Sequence, residues 1–236
     1  MARKTAMVLC PGRGVYNAPE LGYLKRHHPG KKALIERFDA QRRDNGQPGI
    51  ADLDAAERYT VSTYTRGDNA SGLIYACSYA DFLDIDRRQI DIVAVTGNSM
   101  GWYTTLACAG ALGAEAGFEV VNTMGTFMHQ ALIGGQIVYP FVDHDWRPIP
   151  GRRERLLALV GDVPGLYVSI HLGGMIVLAG DADALDAAER CLEPVDGRFP
   201  MRLGNHAAFH TPCSSRLRAR AGQRWARSCS PSRTSR

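Results

Sequence analysis

The stretch Val93-Ala94-Val95-Thr96-Gly97-Asn98-Ser99-Met100-Gly101-Trp102-Tyr103 decides the fold. A β-branched apolar run enters a Gly-x-Ser-x-Gly turn, and an Ala/Leu-rich helical pattern follows, which is the sequence form of a nucleophile elbow. Strand and helix meet so tightly in such a turn that small residues must flank the serine. Gly97 and Gly101 supply them where side chains would collide. Ser99 is then presented at a helix N-terminus, where the backbone N–H of Met100 is placed to stabilise an oxyanion.

The pattern around the elbow is that of an α/β layer with the serine at the carboxyl end of a strand. A first strand over residues 5–9 runs into Cys10-Pro11-Gly12-Arg13-Gly14-Val15-Tyr16, a Gly-rich loop that exposes backbone N–H groups to a ligand. The loop lacks the Gly-Lys-Ser/Thr of a phosphate-binding loop and the third glycine of a dinucleotide fingerprint. Helices are predicted over 32–43 and 69–83, the strand of the elbow over 90–96, and helices over 100–112 and 114–132. From residue 136 the order changes to strand (136–142), helix (152–160), strand (166–170), strand (175–179), helix (182–192) and strand (198–203). This βαββαβ order is the ferredoxin-like arrangement, with Leu172-Gly173-Gly174 at its central hairpin.

The chain has 236 residues, 45% of them hydrophobic, enough to bury a full core. No apolar run approaches the roughly 20 residues that cross a bilayer, and Met1-Ala2-Arg3-Lys4 leads straight into a strand, so a cytoplasmic protein without membrane or metal is expected. Six scattered cysteines form no Cys-x-x-Cys pair, and most read as buried thiols. His206 and His210 share an H-x3-H spacing that no further ligand motif accompanies, and His144 falls in a polar loop.

The net charge is +4, but residues 213–236 hold seven arginines and no acid, which leaves the first 212 residues with 21 basic and 24 acidic groups and a net of −3. No nucleic-acid partner is therefore expected of the folded body. The Arg/Ser-rich tail is expected to be largely disordered, an arm for RNA or, on the reading we adopt, out-of-frame or truncated sequence in place of a genuine C-terminal portion.

The elbow, the ferredoxin-like segment and then Asn205-His206-Ala207-Ala208-Phe209-His210-Thr211-Pro212, in that order, resemble the malonyl-CoA:acyl-carrier-protein transacylase family over roughly residues 5–212. The family's Pro-Gly-Gln-Gly-Ser-Gln loop stands here as Pro11-Gly12-Arg13-Gly14-Val15-Tyr16. Its Gly-His-Ser-Leu-Gly-Glu elbow stands as Gly97-Asn98-Ser99-Met100-Gly101-Trp102, and its Phe-His-Thr/Ser-Pro motif as Phe209-His210-Thr211-Pro212. The resemblance implies an α/β-hydrolase-like large subdomain (1–133 and 204–212, incomplete at its C-terminus), an inserted ferredoxin-like small subdomain (134–203) and the tail (213–236).

By the same resemblance Ser99 attacks an acyl thioester while His210 moves its proton, and the oxyanion is held by the N–H groups of Met100 and Tyr16. Gly12, Arg13, Asn98, Met124 and Phe127 line the substrate. The implied partners are acyl-CoA and an acyl carrier protein, for which exposed cations such as Arg152 and Arg153 are candidate contacts, and no cofactor is implied. The family's carboxylate-pairing arginine ahead of Gly-x-x-Met-Gln is replaced in Met124-Gly125-Thr126-Phe127-Met128-His129, so the acyl group is malonyl by family or a less polar one by this exchange. The alternatives are a serine hydrolase or thioesterase, and a catalytically impaired carrier-binding fragment.

Overall fold

The computed structural model describes residues 3–215 and 222. The tail expected beyond residue 212 therefore lies almost wholly outside the described residues. The chain divides into two compact units, Met1–His129 and Gln130–Arg236.

In the first unit, β1 (Lys4–Cys10) pairs in parallel with β2 (Ile90–Gly97), from Lys4 opposite Ile90 to Cys10 opposite Gly97, with a one-residue register shift between Ala6 and Met7 that leaves Val93 without a partner across the ladder. Between them run α1 (Tyr23–His27), α2 (Lys32–Asp44), α3 (Ile50–Asp54), α4 (Val61–Tyr64) and α5 (Gly67–Leu83); α6 (Gly101–Cys108) and α7 (Ala114–Gln130) follow β2. The residues of α5 from Gly67 to Ala76 are buried without a break, which makes it the central helix of the unit.

Against α5 the core is aromatic. Phe38 stacks on Phe118 at 4.4 Å, and Tyr75 meets both rings edge-on. Arg42 is fully buried and serves as a clamp. Its guanidinium donates to the carbonyls of Pro48 and Asp68 and to the side-chain oxygens of Asn69 and Asn122, tying α2 to α5 and α7.

Helix α6 ends four residues earlier than its apolar pattern suggests. Gly110 adopts φ 78°, and the N–H groups of Ala111 and Leu112 close back on the carbonyl of Leu106, a glycine-driven stop.

The second unit is β3 (Gly135–Pro140), α8 (Arg152–Asp162), β4 (Tyr167–Leu172), β5 (Met175–Gly180), α9 (Ala182–Cys191) and β6 (Met201–Arg202). Its four strands form an antiparallel sheet in the order β4-β5-β3-β6, the ferredoxin-like topology. Gly173, at φ 56°, makes the tight β4–β5 hairpin. Asp181 caps α9 by accepting the N–H of Ala184 at 2.9 Å. Ile137, Ile176 and Leu178 from the sheet pack on Leu156 of α8 and Leu185 of α9.

Strand β6 is shorter than the expected 198–203. Residues 195–199 close a turn in which Val195 accepts from Arg198 and Phe199, and Pro200 has no N–H to give to a ladder. Residues 204–212, expected with the large subdomain, group with the second unit. Ala208 N–H donates to the carbonyl of Ile133, and Ser169 Oγ donates to that of Phe209.

Candidate active site

Ser99 sits between the end of β2 and the start of α6 with φ at 52°, a left-handed conformation that a residue with a side chain adopts only under constraint. The constraint is visible on both sides. A Cβ on Gly97 would lie 2.3 Å from the carbonyl carbon of Gly101, and one on Gly101 would lie 2.1 Å from the carbonyl oxygen of Cys10. Gly101→Ala is therefore expected to lower stability by roughly 1–3 kcal/mol or to prevent folding, because backbone on both sides has nowhere to go. A denaturant titration checks it, and an unchanged midpoint would contradict the packing described here.

The Gly-rich loop lies directly on this turn. Asn98 N–H donates to the carbonyl of Cys10 at 3.1 Å, and a Cβ on Gly12 would come within 3.5 Å of the Ser99 Cβ. Gly101 N–H donates to the Asn98 carbonyl and Trp102 N–H to that of Ser99, so the hydrogen-bond ladder of α6 begins just past Met100. Met100 itself turns its side chain into the core.

Arg13 extends from the loop toward the start of α5, where its Nη2 donates to the carbonyl of Thr65. Burial lowers its pKa to about 10, against the pull of Asp68. Burial also raises the Asp68 carboxyl, but the two-pronged Arg66 contact, at 3.1 and 2.9 Å, outweighs it and holds the pKa below the usual range. The Tyr16 side chain is buried, stacked on Tyr64, and its hydroxyl donates to Asp54 at 2.7 Å, with its pKa raised by burial and that carboxylate. Asp54, which also receives the N–H groups of Leu24 and Lys25, was not distinguishable in the sequence from any other acidic residue.

Helix α7 reaches the same corner through a crossing of small residues: a Cβ on Gly67 would lie 2.7 Å from the Gly125 carbonyl, and one on Gly125 would lie 2.4 Å from that of Gly67. Met124, next to this crossing, is buried, and Phe127, one turn along, is half-buried.

In the second unit, residues 205–211 form a tightly held turn. Ala207, Ala208 and Phe209 are buried, and His210 follows them on the exposed side at φ 59°. A polar chain fixes the turn from the sheet side: Gln136 Nε2 donates to Ser169 Oγ at 2.6 Å, Ser169 Oγ to the Phe209 carbonyl at 2.8 Å, and the Gln136 side-chain oxygen meets His206 Nδ1 at 2.7 Å. The hydroxyl of Thr211 and that of Ser214 both donate to the Ala208 carbonyl. His206 thus anchors the loop. Gln136 and Ser169, which the sequence reading did not single out, belong to the same support. The surrounding protein disfavours the imidazolium of His210 and lowers its pKa. Among the described residues no group of three His, Cys, Asp or Glu side chains is placed to hold a metal ion.

Almost the whole of this chain superposes on solved structures, of which it spans about 70%. Against the malonyl-CoA:acyl carrier protein transacylase of Xanthomonas oryzae pv. oryzae the TM-score is 0.75 at 21% identity, over 96% of this chain and 70% of that one. The chain has the malonyl-CoA:acyl carrier protein transacylase fold. The transacylase of Helicobacter pylori gives 0.70 at 17% identity, over 96% of this chain and 70% of that one. A malonyl-transacylase in complex with its type II polyketide acyl-carrier protein gives 0.69 at 18% identity, over 94% of this chain and 70% of that one.

In sequence, the polyketide biosynthesis protein ThaF of Burkholderia thailandensis is 31% identical over 131 residues, 50% of this chain; this chain spans 11% of that protein's length. No protein-family model matches the sequence. The transacylase fold accounts for both halves described above, the elbow on an α/β layer and the four-stranded ferredoxin-like unit. No helix among the described residues is long and apolar enough to cross a membrane.

Proposed function

We propose that the chain is an acyltransferase of fatty acid or polyketide synthesis that moves an acyl group from coenzyme A to Ser99 and on to the phosphopantetheine thiol of an acyl carrier protein. The observation that carries the reading is Ser99 itself, held at φ 52° between two glycines that admit no side chain, with the Gly12 loop against it. Such strain is sustained where it presents a reacting group.

In the first half-reaction Ser99 Oγ attacks the thioester carbonyl, and His210, neutral at working pH, takes its proton. The tetrahedral oxyanion is met by backbone N–H groups of Met100 and of the Gly12–Tyr16 loop. The coenzyme A sulfur leaves with the proton from His210. The carrier thiol then attacks the acyl-serine by the reverse route. The reaction as read invokes no metal or prosthetic group. The carrier is an acidic partner of the kind that exposed Arg153 at the start of α8 would meet.

For the acyl group, the buried Met124 favours one less polar than malonyl, acetyl or a longer chain packed against Met124 and Phe127. A thioether offers a carboxylate no partner. Met124→Arg is accordingly expected to raise the ratio of malonyl to acetyl loading by about tenfold or more. Loading rates with the two thioesters measure it, and an unchanged ratio contradicts the assignment of Met124.

Intact mass spectrometry after mixing the chain with acyl-CoAs, then with carrier protein, tests the whole reading. The expected result is an acyl adduct on Ser99 that moves to the carrier. Release of the adduct only to water would make the chain a hydrolase, and carrier binding without any adduct would make it a binding module.

A further inference from the structure

Cys10 and Cys108 are the last residues of β1 and α6, 98 residues apart in the chain, yet their sulfurs lie 3.9 Å from each other in a buried contact. The position of Cys10 makes the contact consequential. Its carbonyl accepts the Asn98 N–H of the elbow, the same oxygen is the atom that forbids a side chain at Gly101, and the Pro11-Gly12 loop begins at its own C-terminal side.

We propose that Cys10 and Cys108 form a reversible disulfide whose closure shifts the loop and the elbow, so that the pair sets the geometry around Ser99 according to the oxidation state of its surroundings. A disulfide needs its sulfurs at about 2.05 Å, so they must approach by almost half their present separation. Cys10 has little room to yield elsewhere, since the turn at Gly101 is already in backbone contact with it.

The chemistry of the pair suits the step. The contact with Cys108 is the main influence that brings the Cys10 pKa down to about 7, against the opposing effect of burial, while the same contact pushes the Cys108 thiol up. In the step proposed Cys10 is the attacking thiolate and Cys108, 3.9 Å away, the resolving thiol. With a peroxide as oxidant, the Cys10 sulfur attacks one peroxide oxygen, the O–O bond breaks, and Cys10 becomes a sulfenic acid as hydroxide leaves. The Cys108 sulfur then attacks the Cys10 sulfur, giving up its proton, and hydroxide departs from the sulfenic acid. In sum two thiols and one hydrogen peroxide give one disulfide and two waters, a two-electron oxidation that a dithiol reverses.

The test uses the full chain and does not depend on acyl transfer. After exposure to hydrogen peroxide, peptide mapping without reductant is expected to find Cys10 joined to Cys108. Amide hydrogen exchange of the segment carrying Asn98 to Gly101 is expected to change by roughly fivefold, as the Asn98 bond to the Cys10 carbonyl is displaced. Dithiothreitol should restore both, and in Cys108→Ala peroxide should leave the exchange of that segment unchanged. The proposal is overturned if Cys10 is oxidised without joining Cys108, or if the two join and exchange at the elbow stays as it was. Should Cys108→Ala fail to fold, reversal by dithiothreitol in the native chain carries the same decision.

Discussion

Replacing Ser99 with alanine is expected to reduce acyl transfer by at least about 10⁴-fold, because the covalent intermediate has nowhere else to form. The fold should tolerate the change, since alanine occupies less space and the contacts that define the turn are made by Gly97, Gly101 and Gly12. Ser99→Gly sharpens the prediction. It is equally inactive, but it relieves the cost of holding a side-chain-bearing residue at φ 52° and should raise stability by about 1 kcal/mol. A variant that gains stability while losing transfer identifies the strained backbone as serving chemistry. Residual transfer in Ser99→Ala close to that of the native chain, measured with acyl-CoA and carrier protein, contradicts a serine-bound intermediate.

The second large effect is expected at His210. Removing the imidazole should cost roughly 10³-fold or more in kcat/KM, since an isolated serine hydroxyl is a weak nucleophile at neutral pH. The pH profile gives an independent reading. In the proposed reaction the neutral ring is the base, and partial desolvation by the surrounding protein lowers its pKa below the ordinary 6.5, so the rate should hold as pH falls past 6.5 and drop only at lower pH, as the ring takes up a proton. In His210→Ala that acid limb should be missing. A limb that lies above the ordinary histidine value, or one that survives in the variant, contradicts the role of His210.

Much of this site is legible in the sequence because its signals are local. Gly97, Ser99 and Gly101 fall within five residues, and the strand and helix on either side carry their own periodicities. The order of strands and helices from Gly135 to Arg202 is legible for the same reason, since each element is a short run with clear punctuation at Gly173, Asp181 and Pro200. What stays hidden is what depends on distant partners. Helices α1, α3 and α4 are five residues or fewer, too short for a period, and are held by contacts such as those of Asp54 with Tyr16 and Leu24. The burial of Arg42, a residue type ordinarily exposed, requires Asn69 and Asn122 from two other helices.

The apolar run of the first strand carries the opposite lesson. Met7 and Leu9 are 63% and 65% exposed, because among the described residues β1 has only β2 beside it, where Val93 is 64% exposed as well. Parallel sheets ordinarily cover both faces, so pattern alone assigns such residues to the core. The contact of Cys10 with Cys108 is invisible for a similar reason. Neither cysteine sits in a motif, and only the packing of α6 on β1 brings them together.

The proposed reaction requires Ser99 and His210 to act together, and the rate at which a fluorophosphonate labels Ser99, followed across pH in the native chain and in His210→Ala, is the direct test. The account predicts fast labelling in the native chain that declines as a group with a pKa below 6.5 gains its proton, and labelling in the variant slower by roughly 10²-fold or more and flat over that range. Identical rates and identical pH dependence in the two proteins would contradict it.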